Sequence, residues 1–124
     1  MVIGFKKQFV PLIKSGKKIH TIRHDVHQRW KAGMTMHMAT GVRTKNYKEF
    51  AKKKCVSVQF IHIRHYDNIA LQWSEVIIDG RKLSDTEVVM LARRDGFTKT
   101  AEFFKWFNKD FDGKIIHWKH SRKY

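Results

Sequence analysis

The sequence is poor in cysteine, in proline and in acidic residues. Its 124 residues include one cysteine, one proline and 11 aspartates and glutamates, against 26 lysines and arginines. A single cysteine excludes an internal disulfide and favours a reducing compartment, so we predict a cytoplasmic location. Cys55 stands in a stretch of alternating apolar residues, which predicts a buried side chain and not a nucleophile.

Signatures of several protein classes are also missing. There is no G-x-G-x-x-G motif and no P-loop, which argues against a glycine-rich phosphate cradle. The eight histidines have no zinc-site spacing and there is no second cysteine, so neither a metal ion nor another cofactor is predicted. No apolar run approaches the roughly 20 residues of a membrane-spanning helix, and residues 1–9 lack the apolar centre of a signal peptide. We therefore expect no membrane partner.

The chain carries a large excess of positive charge. Its formal net charge is +15, and such an excess favours fast, salt-sensitive association with polyanions. With 42% hydrophobic residues and no linker or repeat, residues 1–124 are predicted to form a single domain. The charge makes RNA or another single-stranded nucleic acid the first candidate partner, and no pattern indicates an oligomeric state.

The densest positive charge lies in residues 42–54, VRTKNYKEFAKKK, which we predict to be a long basic loop. We expect this loop to contact the phosphates of a nucleic acid. The cations concerned are Arg43, Lys45, Lys48, Lys52, Lys53 and Lys54. Three more follow near the end of the sequence, at Lys119, Arg122 and Lys123.

The hydrophobic periodicity predicts an α+β fold with about six strands. The strand-like runs are VIGF, IHTIR, MTMHMATG, CVSVQFIHIRHY, IALQWSEVIIDGRKL and GKIIHWKH. A short helix with Pro11 in its first turn is predicted to stop at Gly16. Ser84 and Glu87 form a capping box for a second helix, and Thr98 is predicted to cap a third, which has an aromatic face. These elements predict a mixed or antiparallel sheet that curls into a small barrel.

The segment GKKIHTIR, residues 16–23, resembles the G-x-K-x-x-E-x-R signature of the ASCH domain family. Gly16, Lys18 and Arg23 match this pattern, while Thr21 replaces the glutamate. The resemblance implies a PUA-like β-barrel with two to three peripheral helices and a cleft beside the signature strand.

The resemblance extends over most of the chain. Residues 29–33, RWKAG, resemble the family's turn into its next strand, and residues 91–97, LARRDGF, resemble its late acidic-Gly-Phe segment. Family members are implicated in RNA binding, and one branch comprises small N4-acetylcytidine amidohydrolases that use a lysine, a threonine and a glutamate. By this resemblance the catalytic residues would be Lys18, Thr21 and Asp95. An aspartate reaches one methylene less far than the family's glutamate.

A cleft that uses both Lys18 and Thr21 requires a bend in the backbone. On a regular strand these two side chains would point to opposite faces, because successive residues alternate. Gly16 makes a bend before the strand possible. A desolvated Lys18 could then lose its proton near neutral pH and activate the Thr21 hydroxyl. Arg23 shares a strand face with Thr21 and could hold a phosphate or a pyrimidine carbonyl.

Further nucleic-acid contacts are predicted around this segment. Trp30 stands between Arg29 and Lys31, and an aromatic ring flanked by cations suits base stacking with phosphate neutralisation. The predicted contacts in this part of the chain are Lys17, His20, Arg23, Arg29, Trp30 and Lys31.

Three functions fit these residues. The leading prediction is binding of RNA or single-stranded nucleic acid through a basic face with a nucleotide-accepting cleft. The alternative is an amidohydrolase that deacylates N4-acetylcytidine or a related modified nucleoside. A metal-independent ribonuclease is the third.

Overall fold

The structure, a computed structural model, describes residues 1–120 and 123–124. Within them the strands are β1 (Val2–Gly4), β2 (His20–Arg23), β3 (Thr35–Thr40), β4 (Lys48–Lys54), β5 (Ser57–Asp67), β6 (Gln72–Ile78), β7 (Arg81–Lys82) and β8 (Phe111–His117). The α-helices are α1 (Val10–Ser15), α2 (Asp85–Arg94) and α3 (Thr100–Trp106), and a 3₁₀ turn at Lys7–Phe9 precedes α1. The predicted α+β class is confirmed. Arg122, one of the predicted terminal cations, lies outside the described residues.

The strands of the described residues form two sheets. A three-stranded sheet has the order β1-β3-β4, with β1 parallel to β3, and a five-stranded sheet has the order β2-β8-β5-β6-β7. The eight strands exceed the predicted six for two reasons: the sequence predicts a loop where β4 lies, and it predicts a single strand where β6 and β7 lie.

Strand β4 corrects the prediction of a long basic loop. It pairs antiparallel with β3, with His37 opposite Lys52 and Met38 opposite Ala51. As the edge strand of its sheet, β4 leaves most of its lysines in solvent. Lysines on an exposed edge also discourage pairing with the edge of another molecule, so a strand can tolerate this composition. The loop is confined to residues 41–47.

The capping residues predicted from the sequence are confirmed for α1 and α2 but not for α3. Helix α1 has its proline in the first turn and ends at Gly16, whose φ of 83° lies in the left-handed region. Helix α2 begins with the predicted capping box between Ser84 and Glu87. The predicted cap at Thr98 is wrong, because Lys99 is the first flanking residue of α3 and makes no side-chain cap. None of the described helices is long and apolar enough to cross a lipid bilayer.

One hydrophobic core joins both sheets and the helices. It includes Met36 and Met38 of β3, Ile61 of β5 and Phe103 of α3, none of which has exposed surface. Cys55 is also fully buried there, as predicted, and burial raises the pKa of its thiol. The core therefore fixes the two sheets against each other.

Candidate functional site

The predicted bend before β2 is present and places Lys18 outside the strand. After the left-handed Gly16, the amide N–H of Lys18 donates to the Leu12 carbonyl at 3.0 Å. The N–H of Ile19 donates to the Arg94 carbonyl at 2.9 Å, and β2 begins only at His20. The alternation of a regular strand therefore does not apply between positions 18 and 21.

Lys18, Thr21, Arg23 and Asp95 line one cleft, which we call the β2 cleft. It has a volume of about 360 Å³. Its remaining lining is mostly aromatic and apolar, formed by Gly4, Phe5, Lys6, Phe9, Ile22, Gly41, Val42, Phe97, Trp106 and Phe107. A concave site with aromatic walls and a few converging polar groups is the usual form of a binding site for a small planar ligand.

Lys18 and Asp95 form a buried ion pair in this cleft. The Lys18 Nζ lies 3.1 Å from the Asp95 Oδ1 and also donates to the Asp95 backbone carbonyl. Only 2% of Lys18 and 3% of Asp95 is exposed. Burial lowers the pKa of Lys18, although the neighbouring Asp95 opposes this shift. Buried, charge-paired groups inside a cleft mark a candidate functional site.

Arg23 is held rigidly beside the same space. Its Nη2 donates to the Gly4 carbonyl at 2.6 Å, and its Nε donates to the Thr21 Oγ1 at 3.1 Å. The guanidinium carbon lies 4.9 Å from the centre of the Phe5 ring. Because the Thr21 oxygen accepts from Arg23, its own O–H remains able to donate to a ligand or to a base.

A buried network behind the cleft corrects the prediction for His20. This side chain has no exposed surface, so it does not contribute a surface cation for nucleic acid. Its Nδ1 lies 3.1 Å from the Asp95 Oδ1 and its Nε2 lies 2.7 Å from the Tyr124 hydroxyl. Burial lowers the pKa of His20, and the neutral ring fits if Nδ1–H donates to Asp95 while Tyr124 donates to Nε2.

A second buried histidine lies next to the first. The rings of His117 and His20 are 5.4 Å apart, and the His117 Nε2 lies 3.0 Å from the Gln59 Oε1. Gln59 also donates to a backbone oxygen of Tyr124 at 2.8 Å. Burial lowers the pKa of His117 to about 3, with a smaller contribution from His20. Both histidines are therefore neutral in the folded protein at neutral pH.

Acid pH is expected to destabilise the fold through these histidines. An unfolded histidine takes up a proton below pH ~6.5, whereas folded His117 does so only near pH 3, so stability is lost as the pH falls through this window. Between pH 8 and pH 5 His117 alone should lower the free energy of unfolding by about 2 kcal/mol. His20 acts in the same direction.

Urea unfolding at the two pH values checks this expectation. The variant His117→Gln, which retains an amide donor for Gln59, should lose about 2 kcal/mol of the pH dependence whatever its stability at pH 8. Equal pH dependence in wild type and variant would contradict the assignment of a neutral, buried His117.

The other predicted contact residues are not gathered in the β2 cleft. Lys17, Arg29 and Lys31 are exposed and lie outside its lining. Trp30 is only 9% exposed and belongs to the hydrophobic core, which corrects its prediction as a stacking residue. The cations flanking Trp30 made it resemble an interface residue, but its ring fills the core.

The basic residues at positions 43–54, which we call the basic segment, begin at the cleft. Gly41 and Val42 line the β2 cleft, and Arg43 follows them directly. The other cations continue through the loop and along β4, where Lys45, Lys48, Lys52 and Lys54 are exposed and Lys53 is half-buried. Lys53 and Lys54 line an open groove at the far end of β4, together with Gly33, Trp118 and His120.

The sequence does not point to the apolar walls of the cleft, and two further contributors show why. Trp106 belongs to the predicted aromatic face of the third helix, yet 44% of it is exposed and it forms part of the cleft wall. Tyr124 reaches Asp95 through His20, a connection over 104 residues of sequence to which no local pattern points.

The fold and the site together define an α+β protein with an aromatic-walled cleft that contains buried cationic groups. No family model, no curated protein and no solved structure matches the chain. Its function is therefore inferred from the chemistry of the cleft and from the short motifs that resemble the ASCH family.

Proposed function

We propose that the chain is an ASCH-like protein, with a PUA-like barrel, that binds RNA or another single-stranded nucleic acid and admits one nucleotide to the β2 cleft. The observation that carries this proposal is the continuity of the cleft with the basic segment. The cleft supplies aromatic walls and buried polar groups, and a row of cations starts at its Gly41–Val42 rim.

The chemistry of the cleft suits a nucleotide. The aromatic rings of Phe5, Phe9 and Phe97 offer contact area for a planar base. The guanidinium of Arg23 can donate to a carbonyl or phosphate oxygen, and the Thr21 hydroxyl can donate to a base. The net charge of +15 attracts the rest of a polyanion.

The salt dependence of affinity tests the proposal. A strand that makes about four phosphate contacts should bind roughly 50-fold more weakly at 200 mM salt than at 50 mM. The measurement is fluorescence anisotropy with a short single-stranded RNA, with the DNA of the same sequence in parallel to compare the two sugars. Affinity that stays constant over this range would contradict the proposal.

A pair of charge reversals provides the control. Lys52→Glu, in the basic segment, should weaken binding and lower the steepness of the salt dependence. Lys82→Glu, on the edge of the other sheet, changes the net charge by the same amount and should have a much smaller effect. Equal effects of the two variants would mean that only the overall charge matters.

A second candidate function is hydrolysis of an N4-acyl group from a modified cytidine. It is favoured by one observation: Lys18, Thr21 and Asp95 share the β2 cleft. The reaction requires the deprotonated form of Lys18, which burial favours and the ion pair with Asp95 opposes. In that form Lys18 would take the Thr21 proton while the threonine oxygen attacks the acetyl carbon. The C–N bond then breaks, and the lysine ammonium returns the proton to the departing cytidine amine. Water hydrolyses the acyl-threonine and releases acetate.

Asp95 would act in this reaction through Lys18. Its Oδ1 already lies 3.1 Å from both the Lys18 Nζ and the His20 Nδ1. The Asp95 carboxylate therefore orients Lys18. Asp95 itself does not have to transfer a proton to the leaving group, because Lys18 does so. No specific observation favours the ribonuclease, since His20 is held between Asp95 and Tyr124 and does not line the cleft.

A further inference from the structure

A second cavity adjoins the β2 cleft. It has a volume of about 370 Å³ and shares Trp106 and Phe107 with the cleft. Its own residues include His24, Lys109 and Phe111. Trp106 is thus a common wall of two neighbouring spaces, one of which the proposed function leaves unused.

Trp106 is fixed and yet accessible. Its ring meets Phe9 at 5.5 Å and Phe97 at 5.6 Å, both with their planes steeply inclined to its own. The Lys6 Nζ lies 5.0 Å from the ring centre. Although these contacts hold the indole in place, 44% of the residue is exposed. A rigid, exposed aromatic ring with a cation beside it is the usual platform on which a nucleic-acid base stacks.

The chemistry of the second cavity also suits a nucleotide. The His24 ring lies 4.2 Å from the Phe111 ring, which gives a second planar surface, and Lys109 is an exposed cation. One acid, Asp110, lines this cavity, and its Oδ1 accepts the His65 backbone N–H at 2.9 Å. The cavity therefore combines aromatic surface with a group that can meet a phosphate.

We propose that this second cavity, which we call the flanking subsite, binds the nucleotide next to the one held in the β2 cleft. Trp106 lies between the two nucleotides and stacks on the flanking base, while Lys109 meets the connecting or terminal phosphate. This inference rests on the proposed function and extends it, because it makes the protein prefer a polymer over a free nucleoside.

Calorimetric titrations with two probes test the flanking subsite. By the proposal, cytidine 5′-monophosphate should occupy the β2 cleft alone, whereas a single-stranded cytidine trinucleotide should reach both spaces. The measured quantity is the ratio of the trinucleotide association constant to the monophosphate constant. Trp106→Ala should lower this ratio roughly 5- to 150-fold, the range that corresponds to the loss of one stacked base. Lys109→Glu should also lower this ratio. Because Lys109 is exposed, the substitution should leave folding unaffected.

Trp73→Ala is the matched control. Trp73 is 39% exposed and stacks on Tyr66, on the β5–β6 hairpin and outside both cavities. The ratio of the two association constants should be the same for Trp73→Ala as for the wild type. If Trp106→Ala and Lys109→Glu also leave the ratio unchanged, or if wild type binds both probes equally, the flanking subsite is refuted while the β2 cleft stands. Failure of wild type to bind either probe would instead refute the proposed function.

Discussion

Replacing Asp95 with alanine is expected to lower the free energy of unfolding by about 3–5 kcal/mol, because a buried Lys18 is left without its counter-ion. His20 loses its acceptor in the same variant. Binding of nucleotide should be lost together with stability, because Lys18 is no longer held at the cleft wall. Urea unfolding at pH 7.5 and a titration with cytidine 5′-monophosphate measure the two effects.

A double variant separates stability from binding. Lys18→Met combined with Asp95→Asn removes both charges and retains an oxygen that accepts from His20. Removing both charges together should recover most of the lost stability, because no unpaired charge remains buried. Nucleotide binding should remain lost. A double variant as unstable as Asp95→Ala would show that the charge pair is not the cause of the loss.

The exposed ion pair between Lys82 and Glu75 serves as the control for the variants of the buried Lys18–Asp95 pair. Its lysine side chain is 63% exposed, in contrast to 3% for Lys18. Exposed ion pairs contribute little because solvent screens both charges. Lys82→Met should therefore change stability far less than any variant that breaks the buried pair.

Thr21→Val is expected to lower deacetylation of N4-acetylcytidine by roughly 10³-fold or more, if the wild-type protein catalyses this reaction. Valine keeps the branched shape of threonine but lacks the oxygen that attacks the acetyl carbon. Thr21→Ser, which retains the hydroxyl, should keep a substantial part of the rate. Thr21→Ser keeps the oxygen that accepts from Arg23. Thr21→Val loses this hydrogen bond to a charged group, which costs about 1.5–3 kcal/mol, so its folding is checked by urea unfolding before the rates are compared.

Initial rates of cytidine release, followed by chromatography, measure this effect. Equal rates for wild type and Thr21→Val would exclude threonine as the nucleophile. A wild-type protein without any turnover would remove the amidohydrolase and leave nucleotide binding as the function of the cleft.

The sequence predicted the parts of the fold that depend on neighbouring residues. The left-handed Gly16 and the capping box of Ser84 and Glu87 were readable because each satisfies nearby backbone groups. The bend before β2 was readable for a different reason: the chemistry expected of Lys18 and Thr21 required it. Neither signal requires knowledge of distant contacts, although the local signal failed at Thr98, where Lys99 flanks α3 instead.

The other errors arose where contacts between residues distant in sequence determine the structure. Composition could not distinguish a basic loop from β4, because pairing with β3 and a place at the sheet edge make a lysine-rich strand stable. Trp30 and His20 looked like surface groups among cations, yet packing buries both. The burial of His20 depends in part on Asp95 and Tyr124, which are far away in sequence.

The most direct test of the central claim is a crystal structure of the protein with cytidine or a short oligonucleotide bound. The account predicts a base inside the β2 cleft, with polar contacts to Thr21 and Arg23 and with Lys18 within hydrogen-bond distance of the same ligand. A ligand bound only along the basic segment, with the cleft closed by its own aromatic side chains, would contradict it.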